Sequence, residues 1–379
     1  MKSLSVEHIL VPIDFSKISI QAIETAKRLA QHVGATVHLA HIHQFDHLAR
    51  FMAPASPLIQ FSAVTFERDA EERLARQFKI LADKHGLSSA SFHLLTGAPA
   101  FSEICRLAKE IPADLVVMPT HGRTGLKHVF LGSTAERIVQ HSPCPVFVVR
   151  EKKRPSKTGP RLTDKRILVP VDFSECSQEG LQYAIGFANQ FGARIMLLHA
   201  TYLGYIYSTE GAALYDVRGL QNAARENAER QMRKLVRAAK FGRVKYEVAF
   251  TEGSPVLDIC AFAKEHNVDV IITSTHGLTG FEHVLIGSIA EKVVRHAPCS
   301  VLVVPSHPKV RAANLGKTRD TKPRALANSP RRIRPGADQQ QSRKLPRDKA
   351  LTKRDRKLAV HAFPERRMTN KFRKAHSGR

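Results

Sequence analysis

Long apolar runs are missing from the 379-residue sequence. No stretch approaches the roughly 18 consecutive apolar residues that a membrane-spanning helix needs. The first eight residues, MKSLSVEH, contain no apolar signal core and lead directly into a predicted strand. We therefore expect a cytoplasmic chain that is not processed at its amino end and has no membrane partner.

Cysteine is scarce and lacks the spacing of a disulfide or zinc framework. The chain has five cysteines and no CxxC pair. Cys105 and Cys260, like Cys144 and Cys299, occupy equivalent positions of an internal repeat, whereas Cys176 has no counterpart. We expect these residues to be buried, reduced thiols.

Acidic residues are too few to balance a net charge of +25, and the imbalance is concentrated at one end. Residues 306–379 contain 23 Lys or Arg and 5 Asp or Glu, a net +18, which leaves +7 for residues 1–305. This tail has no regular apolar periodicity, so it cannot offset its ordering entropy and is predicted to be disordered. Its charge would suit a nucleic acid or another polyanion.

The remainder of the chain is a duplication. The segment His8–Ser16, HILVPIDFS, returns 158 positions later as RILVPVDFS, and His41 returns as His199. Gly122, Gly132 and Cys144 return at an offset of 155. The repeat predicts two domains, 1–150 and 165–305, joined by a polar linker at 151–164 and followed by the tail at 306–379.

Each copy alternates short apolar runs with amphipathic helical patterns. In the first copy we predict strands at 9–13, 36–42, 91–95, 114–118 and 146–149, with helices at 17–33, 63–85, 99–110 and 133–141. Ser16 suits the N-cap of the first helix, and Gly34 suits its end. The predicted fold class is α/β: two tandem open parallel five-stranded sheets with helices on both faces, Rossmann-like.

Ligands of open parallel sheets bind at the carboxyl ends of the strands. Asp14 and Asp172 end the first strand of each copy, and a glycine-rich loop follows the fourth. The loop residues are His121, Gly122, Arg123, Thr124 and Gly125 in the first copy, and His276, Gly277, Thr279 and Gly280 in the second. The following helix starts are Gly132, Ser133 and Thr134, and Gly287, Ser288 and Ile289. Free backbone N–H groups and the helix dipole favour an anion there, so each copy is predicted to form the phosphate side of a nucleotide pocket.

These motifs together resemble the universal stress protein family in its tandem form, over roughly residues 6–150 and 164–305. The resemblance rests on the opening ILVPxDFS segment, on Gly-x-Pro before the third helix, on the HGxTG loop, and on Gly-Ser before a helix ending in Pro-Cys. It implies the adenine nucleotide alpha hydrolase-like fold and a role in the stress response. Pairing of the two halves through their last strands, Val146–Val149 and Val301–Val304, is implied as well, as is possible homodimerisation.

The resemblance also implies bound ATP, or AMP or ADP. Asp14 and Asp172, with Pro12 and Pro170 beside them, would approach the adenosine, and Ile42 and Ala200 would line the adenine. In ATP-binding members of the family a glycine stands where this chain has Pro119 and Ser274. A nucleotide-free interaction module whose basic tail contacts nucleic acid therefore remains an alternative.

Two further hypotheses have less support in the sequence. His38, His41, His43 and His47 cluster, but His43 and His47 have no counterparts in the second copy, so no metal is assigned. The chain has no GxSxG elbow, no GxxxxGK[ST] loop and no base placed to activate water. We therefore expect a binding module with at most weak ATP hydrolysis and no catalytic residues.

Overall fold

The described part of the chain alternates strands and helices twice. The computed structural model describes residues 5–43, 57–87, 89–120, 131–150, 165–202, 217–275 and 286–305. In the first half, the strands β1 to β5 are His8–Pro12, Thr36–His43, Ser91–Thr96, Leu115–Pro119 and Val146–Val149, and the helices α1 to α4 are Lys17–Val33, Pro57–His85, Ala100–Glu110 and Ser133–His141. In the second half, β6 to β10 are Arg166–Pro170, Arg194–Thr201, Tyr246–Glu252, Val270–Ser274 and Ser300–Val304, and α5 to α8 are Glu175–Phe191, Val217–Ala238, Pro255–Glu265 and Ser288–His296.

The ten strands form one continuous sheet. Its order is β3-β2-β1-β4-β5-β10-β9-β6-β7-β8, so the two halves are mirrored in the order of their strands. All pairs within a half are parallel, whereas β5 and β10 pair antiparallel, with Val148 opposite Val301 and Val146 opposite Val303. This confirms both the α/β class and the predicted pairing through the last strands. The two predicted five-stranded sheets are joined edge to edge.

The sheet has an apolar core on each face. One core contains α1, α2, α5 and α6, and the other contains α3, α4, α7 and α8. Alternation along each strand divides the side chains between the two cores: Ile9 and Val11 lie in the first, and Leu10 in the second. No helix in the described ranges is long and apolar enough to cross a membrane.

Local sequence signals set most of the helix boundaries. Ser16 accepts a hydrogen bond from the Ser19 amide at 3.3 Å and caps α1, and Ser174 caps α5 in the same way. Gly34 ends α1 with a φ of 78°, a left-handed conformation that glycine adopts without strain. The predicted start of α2 was wrong, because the helix begins at Pro57 rather than at residue 63. Proline is tolerated in a first helical turn, where its missing N–H has no intrahelical acceptor.

Polar side chains reinforce the junction between the halves. The Arg150 guanidinium donates to the carbonyls of Val294 and Arg295 at 3.1 and 2.8 Å, near the carboxyl end of α8. Arg295 in turn pairs with Glu136 of the first half at 3.2 Å and with Glu291 of its own helix at 2.9 Å. A cation at a helix carboxyl end also interacts favourably with the helix dipole. The junction is therefore tied by charged groups as well as by the β-ladder.

Three histidines form a row across β1, β2 and β3. His38 Nε2 lies 3.1 Å from His8 Nδ1, and His38 Nδ1 lies 3.0 Å from His93 Nε2. Each of these bonds needs one protonated and one unprotonated nitrogen, so only the two outer ring nitrogens can take further protons. Both hydrogen bonds can therefore be kept only while the three imidazoles together carry no more than one positive charge. The equivalent of His38 in the second half is Met196, which is buried.

Acid should destabilise the first half through this row. Burial, followed by the charges of His93 and His8, lowers the pKa of His38, and burial lowers the pKa of His93. Because the unfolded chain takes up protons below its ordinary pKa of about 6.5 while the folded row resists them, stability should fall as the pH drops from about 7 to 5. His38→Met, which copies the second half, should flatten the dependence of Tm on pH over this window. His296→Gln, which removes an exposed histidine, should retain the wild-type dependence, and a wild-type curve for His38→Met would contradict the assignment.

Arg150→Ala should destabilise the junction. The variant loses two charge-assisted hydrogen bonds to carbonyls, so we expect a loss of about 2 kcal/mol in urea unfolding. Arg106→Ala is the matched control, since the Arg106 side chain is half exposed and its described ion-pair partners are Glu103 and Glu110 of its own helix. That change should leave the free energy of unfolding nearly unchanged, because exposed ion pairs contribute little to stability. Equal losses in the two variants would show that the Arg150 contacts contribute nothing specific.

Candidate functional site

A tight loop follows β1 at the carboxyl edge of the sheet. Asp14 Oδ1 accepts a hydrogen bond from the Ser16 amide at 3.0 Å, and Phe15 between them has a φ of 59°. The imidazole of His41 donates from Nδ1 to the Ile13 carbonyl at 2.8 Å, which ties the loop to β2. These contacts hold the Asp14 carboxylate at the rim, beside the last residue of β1, Pro12.

The first turn of α4 faces the same rim. Gly132 is the N-cap residue of α4, and no side chain among the described residues caps the amides of that turn. The Gly132 amide itself donates to the Thr120 carbonyl at 2.8 Å, which fixes the helix start next to the end of β4. Unbonded amides at a helix start, together with the helix dipole, attract anions.

One cavity of about 240 Å³ joins the two features. Six predicted site residues line it: Pro12, Asp14, Ile42, Gly132, Ser133 and Thr134. Pro119, the residue that departs from the family's glycine pattern, lines it as well. The structure therefore brings the β1 loop and the α4 start to one cavity, and the ligand role of these residues stays a prediction.

The glycine-rich loops themselves fall outside the described residues. These positions are His121, Gly122, Arg123, Thr124 and Gly125 in the first half, and His276, Gly277, Thr279 and Gly280 in the second.

The second half repeats the loop geometry. Asp172 Oδ1 accepts from the amide of Ser174 at 3.0 Å and from its hydroxyl at 2.6 Å. His199 donates from Nδ1 to the Val171 carbonyl at 2.8 Å, and burial lowers the pKa of this histidine. His199 therefore remains neutral at pH 7, and its hydrogen bond connects the loop after β6 to β7. Pro170 is the last residue of β6, and Ala200 lies in β7, one residue before its end.

The helix start of the second half has a different surface chemistry. Gly287 is the N-cap residue of α8, followed by Ser288, and again no side chain caps the first turn. Ile289 stands where the first half has Thr134, and it is 45% exposed. The second rim thus keeps the backbone amides and loses a hydroxyl next to them. Thr273 likewise replaces the cavity-lining Met118, and Ala200 replaces Ile42.

Sequence reasoning did not single out several residues that line the cavity. Ala100 and Ile104 contribute from α3, Met118 from β4, and Ser19 and Ile138 from α1 and α4. Ala100 and Ile104 are four positions apart and lie on one helix face directly after the Gly-x-Pro motif, a signal that could have identified them. Met118 and Ile138 are core residues by pattern, and only the fold shows that they also reach the cavity.

The histidine cluster does not converge on a metal position. His38 bonds to the two neighbouring rings, His41 bonds to a backbone carbonyl, and His47 lies outside the described residues. Among the described residues, no three His, Cys, Asp or Glu side chains are arranged to hold an ion. The five cysteines are free, and burial raises the pKa of Cys105 to about 11 and that of Cys144 to about 12. Such thiols are protonated at neutral pH and unreactive.

A doubly wound parallel sheet with an acidic residue and a bare helix start at its carboxyl edge defines a Rossmann-like protein of the nucleotide alpha hydrolase type. The sequence profile of the universal stress protein family matches residues 5–150 and 164–305. The chain therefore belongs to the universal stress protein family, as a tandem member.

Relatives support the same placement. A universal stress protein of Methanocaldococcus jannaschii is 30% identical over 140 residues, which are 37% of this chain and 81% of that protein. Among solved structures, a universal stress protein of Archaeoglobus fulgidus superposes with a TM-score of 0.52 at 20% identity, covering 81% of this chain and 99% of that one. A protein of unknown function from Pseudomonas aeruginosa PAO1 gives a TM-score of 0.53 at 18% identity, covering 80% and 93%. These two structures share the fold of this chain.

Proposed function

We propose that this tandem universal stress protein binds ATP, or AMP or ADP, in the cavity of its first half and acts in the stress response as a binding module. The observation that carries the proposal is the cavity that joins the Asp14 loop to the uncapped start of α4. A single ligand with a polar sugar and an anionic end would contact both.

The chemistry of the lining supports an adenine nucleotide. The carboxylate of Asp14 suits ribose hydroxyls, as acidic residues do in related α/β sites. Ile42, Ile104 and Met118 offer apolar walls for the base. The cavity of about 240 Å³ is just below the usual range of about 300–1,000 Å³ for ligand sites, so it would hold the nucleoside and leave the phosphates at its mouth. There the amides of the α4 first turn and the hydroxyls of Ser133 and Thr134 would bind them.

The differences between the two halves at the carboxyl rim favour the first half as the stronger nucleotide site. Ile289 puts an exposed apolar side chain where phosphate oxygens would lie, and Ala200 removes apolar surface that Ile42 offers to a base. Nothing in the described site positions a base for an attacking water, so we propose binding with at most weak hydrolysis.

Asp14→Ala should weaken ATP binding more than Asp172→Ala. Loss of the hydrogen bonds that ribose hydroxyls donate to a charged carboxylate costs about 1.5–3 kcal/mol, which corresponds to roughly 10- to 150-fold in Kd. Isothermal titration of the full chain with ATP measures this difference. Asp14→Asn, which keeps an oxygen for the Ser16 amide, checks that the loss does not come from a disordered loop. A larger loss for Asp172→Ala would move the site to the second half, and no binding to wild type at about 1 mM ATP would refute the proposal.

The Thr134→Ile variant should show whether the start of α4 contacts the phosphates of ATP or its nucleoside. The Thr134 side chain is exposed, so the change should leave folding intact while it places the residue of the second half beside the helix start. We expect roughly 5- to 10-fold weaker binding of ATP, equivalent to about 1 kcal/mol, and unchanged binding of adenosine. The reciprocal Ile289→Thr change should leave ATP binding to the first half unaltered. Equal weakening of ATP and adenosine would contradict phosphate binding at this helix start.

A further inference from the structure

The second half carries a concentration of positive charge that the first half does not share. Residues 230–245, from the last two turns of α6 to the start of β8, contain seven Lys or Arg and no acid. Gly86 and Gly242, both at a φ of 60°, align this segment with residues 74–89 of the first half. That stretch contains three Lys or Arg and one Asp. The two halves share a fold, so the difference lies in the surface and not in the architecture.

Further cations stand at neighbouring strand starts. The Arg194 amide donates to the Lys165 carbonyl at 2.9 Å, and the Ile195 amide donates to the Lys245 carbonyl at 2.9 Å. Arg166 pairs with Arg194 across β6 and β7. The amino ends of three adjacent strands are therefore basic, and at the equivalent first-half positions of residues 165, 166 and 194 the chain has Glu7, His8 and Thr36.

The carboxyl end of α6 lies beside these strand starts. The Val244 amide donates to the Phe241 carbonyl at 3.0 Å, and the Phe241 ring stacks on Tyr246 at 4.1 Å, so the connection folds directly onto β8. We define the basic edge by eight residues: Lys165, Arg166, Arg194, Lys234, Arg237, Lys240, Arg243 and Lys245. All but Lys165, which is half-buried, are exposed.

Most of these charges are not neutralised within the described part of the chain. Arg194, Lys234, Arg237, Lys240, Arg243 and Lys245 make no side-chain hydrogen bond or ion pair with any described residue. Arg166 donates to the His266 carbonyl at 2.7 Å and keeps its charge. Described acids beside the edge include Glu229, Glu247, Glu265 and Asp269. Asp269 accepts from the Arg166 amide, Glu229 pairs with Arg225 and Arg233, and Glu265 directly precedes His266. The edge is therefore strongly positive.

We propose that the basic edge binds the phosphate backbone of a nucleic acid duplex without reading its sequence. Three strand starts about 4.8 Å apart extend over about 10 Å, and the helix layer lies about 10 Å away in the perpendicular direction, so the edge is about 14 Å along its diagonal. A duplex presents about one negative charge per 1.7 Å of its axis, so about 14 Å of duplex carries about eight phosphates on its two strands. The eight cations of the edge match that density.

The composition of the edge distinguishes this partner from two others. Binding to single strands uses exposed aromatic rings that stack on bases, but Phe241 is buried and Tyr246 is half-buried against it. Membrane-surface binding uses exposed large apolar side chains. The described residues of this kind are Ile80, Phe92, Tyr202, Leu220, Leu257 and Ile289, and none belongs to the edge.

The test compares two quadruple variants of the full chain. Lys234, Arg237, Lys240 and Arg243→Gln removes half of the basic edge. Arg73, Arg76, Lys79 and Lys84→Gln removes the same charge from exposed positions on the equivalent helix of the first half. Binding of a labelled duplex of about 20 base pairs, as DNA and as RNA, is measured by fluorescence anisotropy at several salt concentrations. Both variants keep residues 306–379, so the tail contributes equally.

We expect the edge variant to bind the duplex at least 10-fold more weakly than the control variant. The slope of log K against log salt should fall by up to about 3.6, or 0.9 for each lost phosphate contact. If the edge variant binds only the DNA duplex or only the RNA duplex more weakly, the basic edge is assigned to that nucleic acid. Equal affinities of the two variants would overturn the proposal, as would tighter binding of the wild type to a single strand or to vesicles with about 30% phosphatidylserine. Circular dichroism of both variants guards against a folding defect.

Discussion

The antiparallel pairing of β5 with β10 is the constraint on which the rest of this structure depends. Each half on its own would end in a short apolar strand, VFVV in one and SVLVV in the other, with unpaired amides and carbonyls along one side. Such an edge invites pairing with other chains. Joining the two edges satisfies both ladders and lets the apolar cores on the two faces of the sheet run through both halves. Arg150 and Arg295 then fix the junction from the side of α8.

Tethering of the duplicated halves explains how their surfaces could differ. Both copies contribute to each of the two cores, which limits how far their buried strands can differ, and Ile9-Leu10-Val11 reappears as Ile167-Leu168-Val169. Exposed positions are free of that requirement. At the carboxyl rim the difference is Thr134 against Ile289, and at the amino rim it is Thr36 against Arg194. These positions are exposed in both halves, so the two exchanges should have little effect on the stability of the fold.

Much of the fold was predictable because its signals are local. Ser16 and Gly34 mark the ends of α1 through cap geometry, and the apolar runs mark the strands. The repeat predicted the equivalence of Asp14 with Asp172, and the family resemblance implied the pairing of the last strands, which the structure confirms. The start of α2 was predicted six residues too late: the helix begins at Pro57, and Ile59 already stands at helical spacing from Ala63.

The features that the sequence could not predict depend on which distant side chains the strand order brings together. His8, His38 and His93 are separated by 30 and 55 positions, and only the order β3-β2-β1 makes them neighbours. Of these three, only His38 belonged to the histidine cluster considered as a metal site, and each of its ring nitrogens faces another imidazole. Ala100 and Met118 likewise read as core residues until α3 and β4 are placed at the cavity. Sequence patterns identify the buried faces and the boundaries of helices and strands. Contacts between distant segments become visible only when the fold is known.

The two surfaces assigned to this chain lie at opposite ends of the strands. The cavity opens at the carboxyl ends of β1 and β4, whereas the basic edge gathers at the amino ends of β6, β7 and β8. Five-residue strands such as β1 and β6 are about 16 Å long, so ligands at the two rims do not compete for space. Their charges are too far apart for strong direct interaction at physiological ionic strength, where the screening length is about 8 Å. Any coupling between a nucleotide and a polyanion must therefore pass through the shared sheet, and the β5–β10 ladder is the backbone connection through which the two halves join it.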